Sequence, residues 1–172
     1  VSLSDYAGRT IEGQDKIYYI LGNDLTSIAT SPHLDPFKAR GIEVLFMPDP
    51  FDGFMMQSVH EFEGKSFANV DDPGLELPGE ATPGESEPTP VPDEDFAQVV
   101  ARFKTVLADR VTEVRESKLL TDSPARLVST NAGFDRDLQR IRRLMEDNYK
   151  APPKILEINR RHPLIRNLGA RI

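Results

Sequence analysis

Residues 71–95 constrain this chain more than any other stretch, because 25 positions hold six prolines, three glycines, nine carboxylates and no basic side chain. Such a segment cannot bury enough apolar surface to offset the entropy of ordering its backbone, and its like charges repel. It is expected to be an acidic, proline-rich flexible linker. The chain then folds as two compact pieces, residues 1–70 and residues 96–172, each too short to build more than a modestly stable core by itself. Charge divides in the same places: the formal charges are −5 for residues 1–70, −9 for 71–95 and +7 for 96–172, within a net charge of −7.

A basic half raises the question of nucleic acid or an anionic membrane. Its arginines, however, are interleaved with apolar positions and not gathered in one run, which is the pattern of a solvated helix face, so neither partner is expected. Uninterrupted apolar runs such as Val44-Leu45-Phe46-Met47 fall far short of the roughly 20 residues that cross a bilayer. The first residues, Val1-Ser2-Leu3-Ser4-Asp5, have neither the basic nor the apolar region of a signal peptide, which leaves the cytoplasm as the default location. The absence of cysteine excludes disulfides, thiolate metal sites and cysteine nucleophiles.

In the first piece, residues 16–21 form a β-rich run closed by the turn Gly22-Asn23-Asp24. A helical stretch is predicted across residues 25–40, with Gly41 as a left-handed C-cap, followed by a buried strand over 42–47. Within that stretch both Ser31-Pro32 and Asp35-Pro36 offer a cap followed by proline, and the later pair is the better start for regular helix. Strand, helix and strand at this spacing favour a right-handed parallel unit. Asp52 is predicted to N-cap a second helix over 53–61, and residues 65–70 return as a third strand. This is a small, parallel, three-layer α/β subdomain.

The second piece opens with Phe96, Val99, Val100, Phe103, Val106 and Leu107, one apolar face of a helix that follows three carboxylates, Asp93, Glu94 and Asp95. Residues 111–117 and 126–130 read as strands joined by the turn Thr121-Asp122-Ser123-Pro124, residues 135–149 as a helix and 154–158 as a third strand. A further helix starts near Pro163 and is expected to be cut short by the chain end. The class here is α+β, a small three-stranded sheet with helices.

Few residues are arranged for chemistry. No Walker pattern or Gly-x-Gly-x-x-Gly turn follows a predicted strand, and no serine sits in a nucleophile elbow. His33, His60 and His162 lack partners at metal-ligand spacing. Asp49 and Asp52 resemble a hydrolase carboxylate pair, but a turn and a helix cap explain them equally. No catalytic, cofactor or metal site is therefore expected. The contrasting reading, a small α/β hydrolase or nucleotide-dependent enzyme with an appended basic module, needs a carboxylate or phosphate site that the sequence does not display.

Two apolar groups are candidates for exposure. Gly53-Phe54-Met55-Met56 puts three large apolar side chains in succession at a helix start, and a helix on a thin domain can bury only some of them. Phe134, Leu138, Ile141 and Met145 recur at i, i+4, i+7 and i+11, an amphipathic helix of the kind used for adaptable apolar contacts. Periodicity alone favours core packing over exposure for both groups.

The stretch Gly13-Gln14-Asp15-Lys16-Ile17-Tyr18-Tyr19-Ile20, then Ser31-Pro32-His33-Leu34, then Gly41-Ile42-Glu43-Val44-Leu45-Phe46-Met47 resembles the end of the middle domain of the ninety-kilodalton heat-shock chaperones, most closely the bacterial form. Downstream, Leu120-Thr121-Asp122-Ser123-Pro124 and Leu156-Glu157-Ile158-Asn159 resemble the start of that family's C-terminal domain. The resemblance implies a fragment of an ATP-dependent, homodimeric, cytoplasmic stress-response chaperone that binds unfolded client proteins. ATP and magnesium would be handled by parts of the parent protein outside this fragment, which would itself be no enzyme. In that family an aromatic near the end of the middle domain faces the client cleft. Phe54 is the matching position, where bacterial relatives usually have tryptophan. Phe134, Leu138 and Ile141 match the family's client-facing helix. The acidic linker is longer and richer in proline than the usual connection.

Overall fold

The computed structural model describes residues 2–72, 74–79, 88–130 and 152–171. Four strands make the first sheet, in the order β2 (Leu45–Met47), β1 (Lys16–Leu21), β4 (Lys65–Asn69), β3 (Glu61–Phe62). β1 runs parallel to both β2 and β4, and β3 closes one edge antiparallel to β4. Alternation along β1 then divides the core between two faces, as a period of two requires. Tyr18 and Ile20 pack with Ala68, Val70, Ile28, Leu34, Phe37 and Ile42 on one face. Tyr19 packs with Met47 and Met56 on the other. With helical segments on both faces, this is the expected three-layer α/β unit, with one antiparallel edge added.

The helical stretch expected over 25–40 is broken into three pieces: α2 (Leu25–Ala29), a 3-10 turn at Pro32–Leu34, and α3 (Asp35–Lys38). Pro32 and Pro36 each lack the backbone N–H that a continuous helix would use, which is why the helix restarts at each. The later start at Asp35 is the one that yields regular α-helix. Gly41 takes φ 65° and ends the segment as expected, with the Ile42 N–H donating to the Phe37 carbonyl at 2.9 Å. Regular pairing begins only at Leu45, so the strand expected from Ile42 is shorter, although Ile42 is buried in the core.

Two more elements had not been expected. α1 (Leu3–Ala7) is opened by a capping box between Ser2 and Asp5. It carries the buried Tyr6, whose hydroxyl donates to the Glu43 carbonyl at 2.7 Å and accepts from the Tyr18 N–H at 3.0 Å. The β3–β4 hairpin turns on Glu63 and Gly64 at φ 50° and 76°, the backbone signature of a two-residue type I′ turn. It truncates the second helix, α4, which spans Asp52–Ser58 and not 53–61.

The second sheet has the order β5 (Val111–Glu116), β7 (Lys154–Ile158), β6 (Ala125–Val128), with β7 parallel to β5 and antiparallel to β6. One face is covered by α5 (Asp93–Leu107) and α6 (Pro163–Gly169), where Phe96, Val99 and Ile165 meet Val114 and Ile158. Asp93, Glu94 and Asp95 form the first turn of α5, where the helix dipole favours negative charge. Arg160 ties that turn to the end of β7: its guanidinium bonds Asp93 and the Val91 carbonyl and stacks 5.3 Å from the Phe96 ring centroid. The helix expected over 135–149 lies outside the described residues.

Segment 71–95 is docked at both described ends. Leu75 is buried in the first core with Leu77 against it, and the Gly79 carbonyl accepts from Arg40. Val91 is buried in the second core.

Candidate apolar contact surface

α4 is seven residues long and has only one side on the sheet. Met56 takes the inward position at 7% exposure and packs on Tyr19 and Met47, which leaves Phe54 and Met55 at 48% and 47% exposure. Phe51, just before the helix, is 75% exposed, and its ring lies 6.3 Å from that of Phe54 at a tilt of 35°. Phe46, on the edge strand β2, is a further exposed aromatic of this unit. Of the three successive apolar residues, one is core and two point outward. Phe51 was missed in the sequence because a lone aromatic between Pro50 and Asp52 has no periodic partner. The other expected contact residues, Phe134, Leu138, Ile141 and Met145, lie outside the described residues.

The turn before α4 accounts for the two aspartates. Asp52 does not cap the helix: it lies within the first turn, and its carboxylate accepts from the Asp49 N–H at 2.9 Å. Asp49 in turn accepts from the Phe51 N–H at 2.8 Å. Both carboxylates are engaged by backbone donors, and the pair builds the bend that lifts Phe51 outward. His162 N-caps α6 by accepting from the Leu164 N–H at 3.1 Å. Among the described residues, no three histidines or carboxylates cluster at metal-binding distance.

A buried charge cluster lies in the second sheet. Register places Arg115 and Arg126 on either side of Glu157, on strands β5, β6 and β7. Arg126 Nε donates to one carboxylate oxygen at 2.8 Å, and Arg115 Nη2 donates to the other at 2.8 Å. Burial pushes the Glu157 carboxyl up, but hydrogen bonds and charge from Arg115 and Arg126 outweigh it and hold the group below the ordinary glutamate range. In the first sheet, burial raises the Tyr18 hydroxyl to about 12. Among the described residues the groups that shift move away from neutrality, and this cluster ties the three strands together through one carboxylate. Sequence reasoning quoted Glu157 in a motif but missed this role, whose one local signal is a carboxylate between the apolar Leu156 and Ile158.

Comparison with known proteins places the whole chain. A family model described as Hsp90 protein matches residues 1–172. The chain is 41% identical over 172 residues to the chaperone protein HtpG of Nitrobacter winogradskyi, covering 98% of this chain and 27% of that protein. It is 42% identical over 170 residues to HtpG of Nitrosococcus oceani (98% and 26%) and 34% identical over 169 residues to HtpG of Chlorobium phaeovibrioides (98% and 27%). The chain thus spans about a quarter of the length of the curated relatives it matches. The motifs of both sheets, β1 to β2 in the first and β7 with its preceding turn in the second, fall within one continuous match, and the chain belongs to the Hsp90 chaperone family.

Proposed function

We propose that this chain is the segment of a bacterial Hsp90-type chaperone that joins the end of the middle domain to the start of the C-terminal domain, and that it contacts unfolded client proteins through the apolar surface of α4. The supporting observation is the exposure of Phe51, Phe54 and Met55 around a helix whose inward residue, Met56, is already satisfied by the core. Contiguous exposed apolar groups on a small domain mark an interaction site more often than they mark chance. In this reading Phe134, Leu138, Ile141 and Met145 supply the opposing part of the surface. Residues 1–70 and 96–172 hold most of the two folded pieces, and 71–95 is the connection between them, with Leu75 packed on the first core and Val91 on the second. The parent protein is an ATP-dependent cytoplasmic homodimer whose ATP and magnesium site belongs to other domains, while this segment is scaffold and client contact.

The test is the double substitution Phe51→Ser/Phe54→Ser, measured against a fluorescently labelled, permanently unfolded polypeptide. Client affinity should fall severalfold while the melting temperature stays nearly constant, because exposed positions usually contribute within about 0.5 kcal/mol to folding. Met56→Ser is the core control and should cost roughly 2–5 kcal/mol. Unchanged client affinity in the folded double variant would overturn the assignment of this surface.

A further inference from the structure

The two sheets are held by more than the segment that joins them. Asp35 opens α3 and is only 8% exposed, between the buried Leu34, Pro36 and Phe37. Its carboxylate crosses to the other unit and accepts from the Ser123 N–H at 2.6 Å, 88 residues along the chain. A buried carboxylate on a backbone donor makes a short, charge-assisted bond, about twice as strong as a neutral one.

The receiving turn is built before the bond is made. Ser117 Oγ accepts from the Leu119 and Leu120 N–H groups at 3.3 and 3.1 Å. Asn159 Nδ2 donates to the Thr121 and Ser123 carbonyls at 3.1 and 3.2 Å, and the Asn159 N–H donates to the Pro124 carbonyl at 2.8 Å. The carbonyls of the turn thus point to β7, and the Ser123 N–H is presented to α3.

We propose that the Asp35 carboxylate is a latch between the two sheet units: it grips the Ser123–Pro124 turn, fixes how one unit sits on the other, and on release lets the two units reorient. The latch does not depend on the client reading. It sets where α4 stands relative to the second sheet, whatever α4 contacts.

The test uses the 172-residue chain, whose lack of cysteine permits clean labelling. Spin labels are placed at Ser58→Cys, at the exposed end of α4, and Ala101→Cys, on the exposed face of α5. In Asp35→Ala the Ser123 amide should exchange at least about tenfold faster, the loss expected for a bond to a charged group. The distance distribution between the labels should broaden, while the Ile20 and Leu156 amides stay protected. Should Asp35→Ala unfold the first sheet, seen as lost protection at Ile20, Asp35→Asn takes its place. It keeps the volume and one acceptor oxygen without the charge, and should show the same two changes, smaller, with exchange at Ser123 a few-fold faster. In a folded variant, unchanged exchange at Ser123, or a distance distribution as narrow as that of the native chain, overturns the proposal.

Discussion

Replacing Glu157 by leucine removes the one carboxylate that, among the described residues, lies within ion-pair distance of Arg126. The Arg126 side chain is 2% exposed, so its guanidinium would keep a buried charge with no carboxylate of the described residues opposite it. Breaking a buried pair from one side costs about 3–5 kcal/mol. Arg115 adds little, since its side chain is about one third exposed and a solvated pair contributes at most about 1 kcal/mol. The expected loss for Glu157→Leu is therefore about 3–5 kcal/mol, carried mainly by Arg126. Hydrogen exchange at the Leu156 amide, central in the three-stranded sheet, reads this loss for the second unit alone. At about 1.4 kcal/mol per factor of ten, protection should fall by about two to three and a half orders of magnitude. Adding Arg126→Met should return most of it, because an apolar pair of similar volume replaces a buried ion pair at little cost. A single variant losing under about 1 kcal/mol, or a double variant no better than the single, would refute this account of the cluster. The pH dependence has a fixed sign. Glu157 is depressed in the folded state, so its contribution is complete above the unfolded value of about 4.3 and is lost as pH falls through the lower folded value. Glu157→Leu should lack that part of the acid response.

Two further substitutions test the first sheet. A Cβ at Gly22 would lie 2.2 Å from Ile28 Cγ1, so Gly22→Ala should destabilise the first unit by about 1–3 kcal/mol, seen as faster exchange of the β1 amides. Glu63→Asn supplies the residue that tolerates φ 50° in a type I′ turn, and should stabilise the β3–β4 hairpin by up to about 1 kcal/mol in thermal melts; a lower melting temperature would count against that turn type.

The strands β1, β4, β5 and β7 were legible in the sequence as short β-rich runs bounded by turn residues. The hairpin strand β3 was not, since two residues carry no period and its turn has glutamate where asparagine or aspartate would signal a left-handed position. The short pieces α2 and α3 show local chemistry overruling an apparent helix. Two prolines four apart leave too few consecutive donors for one helix, and Gly41 ends whatever remains. Glu157 marks a different limit. Its two arginine partners are 42 and 31 residues away, and only the pairing register of three strands brings them to one carboxylate.

The contact surface depends on the same kind of long-range information. Phe54, Met55 and Met56 are consecutive, so a helix must point them in directions about 100° apart and one sheet face cannot take them all. The one that goes inward is Met56, which packs on Tyr19 of β1 and Met47 of β2. The Asp49 and Asp52 carboxylates then set where α4 begins, because together they bond the backbone N–H groups of Phe51 and Asp49 and close the bend ahead of the helix. Without that bend, a helix start shifted by one residue would rotate α4 by about 100° and could turn Phe54 toward the core. The two aspartates, which in isolation resemble a hydrolase pair, thus do their part in this surface by fixing which aromatic side chains face solvent.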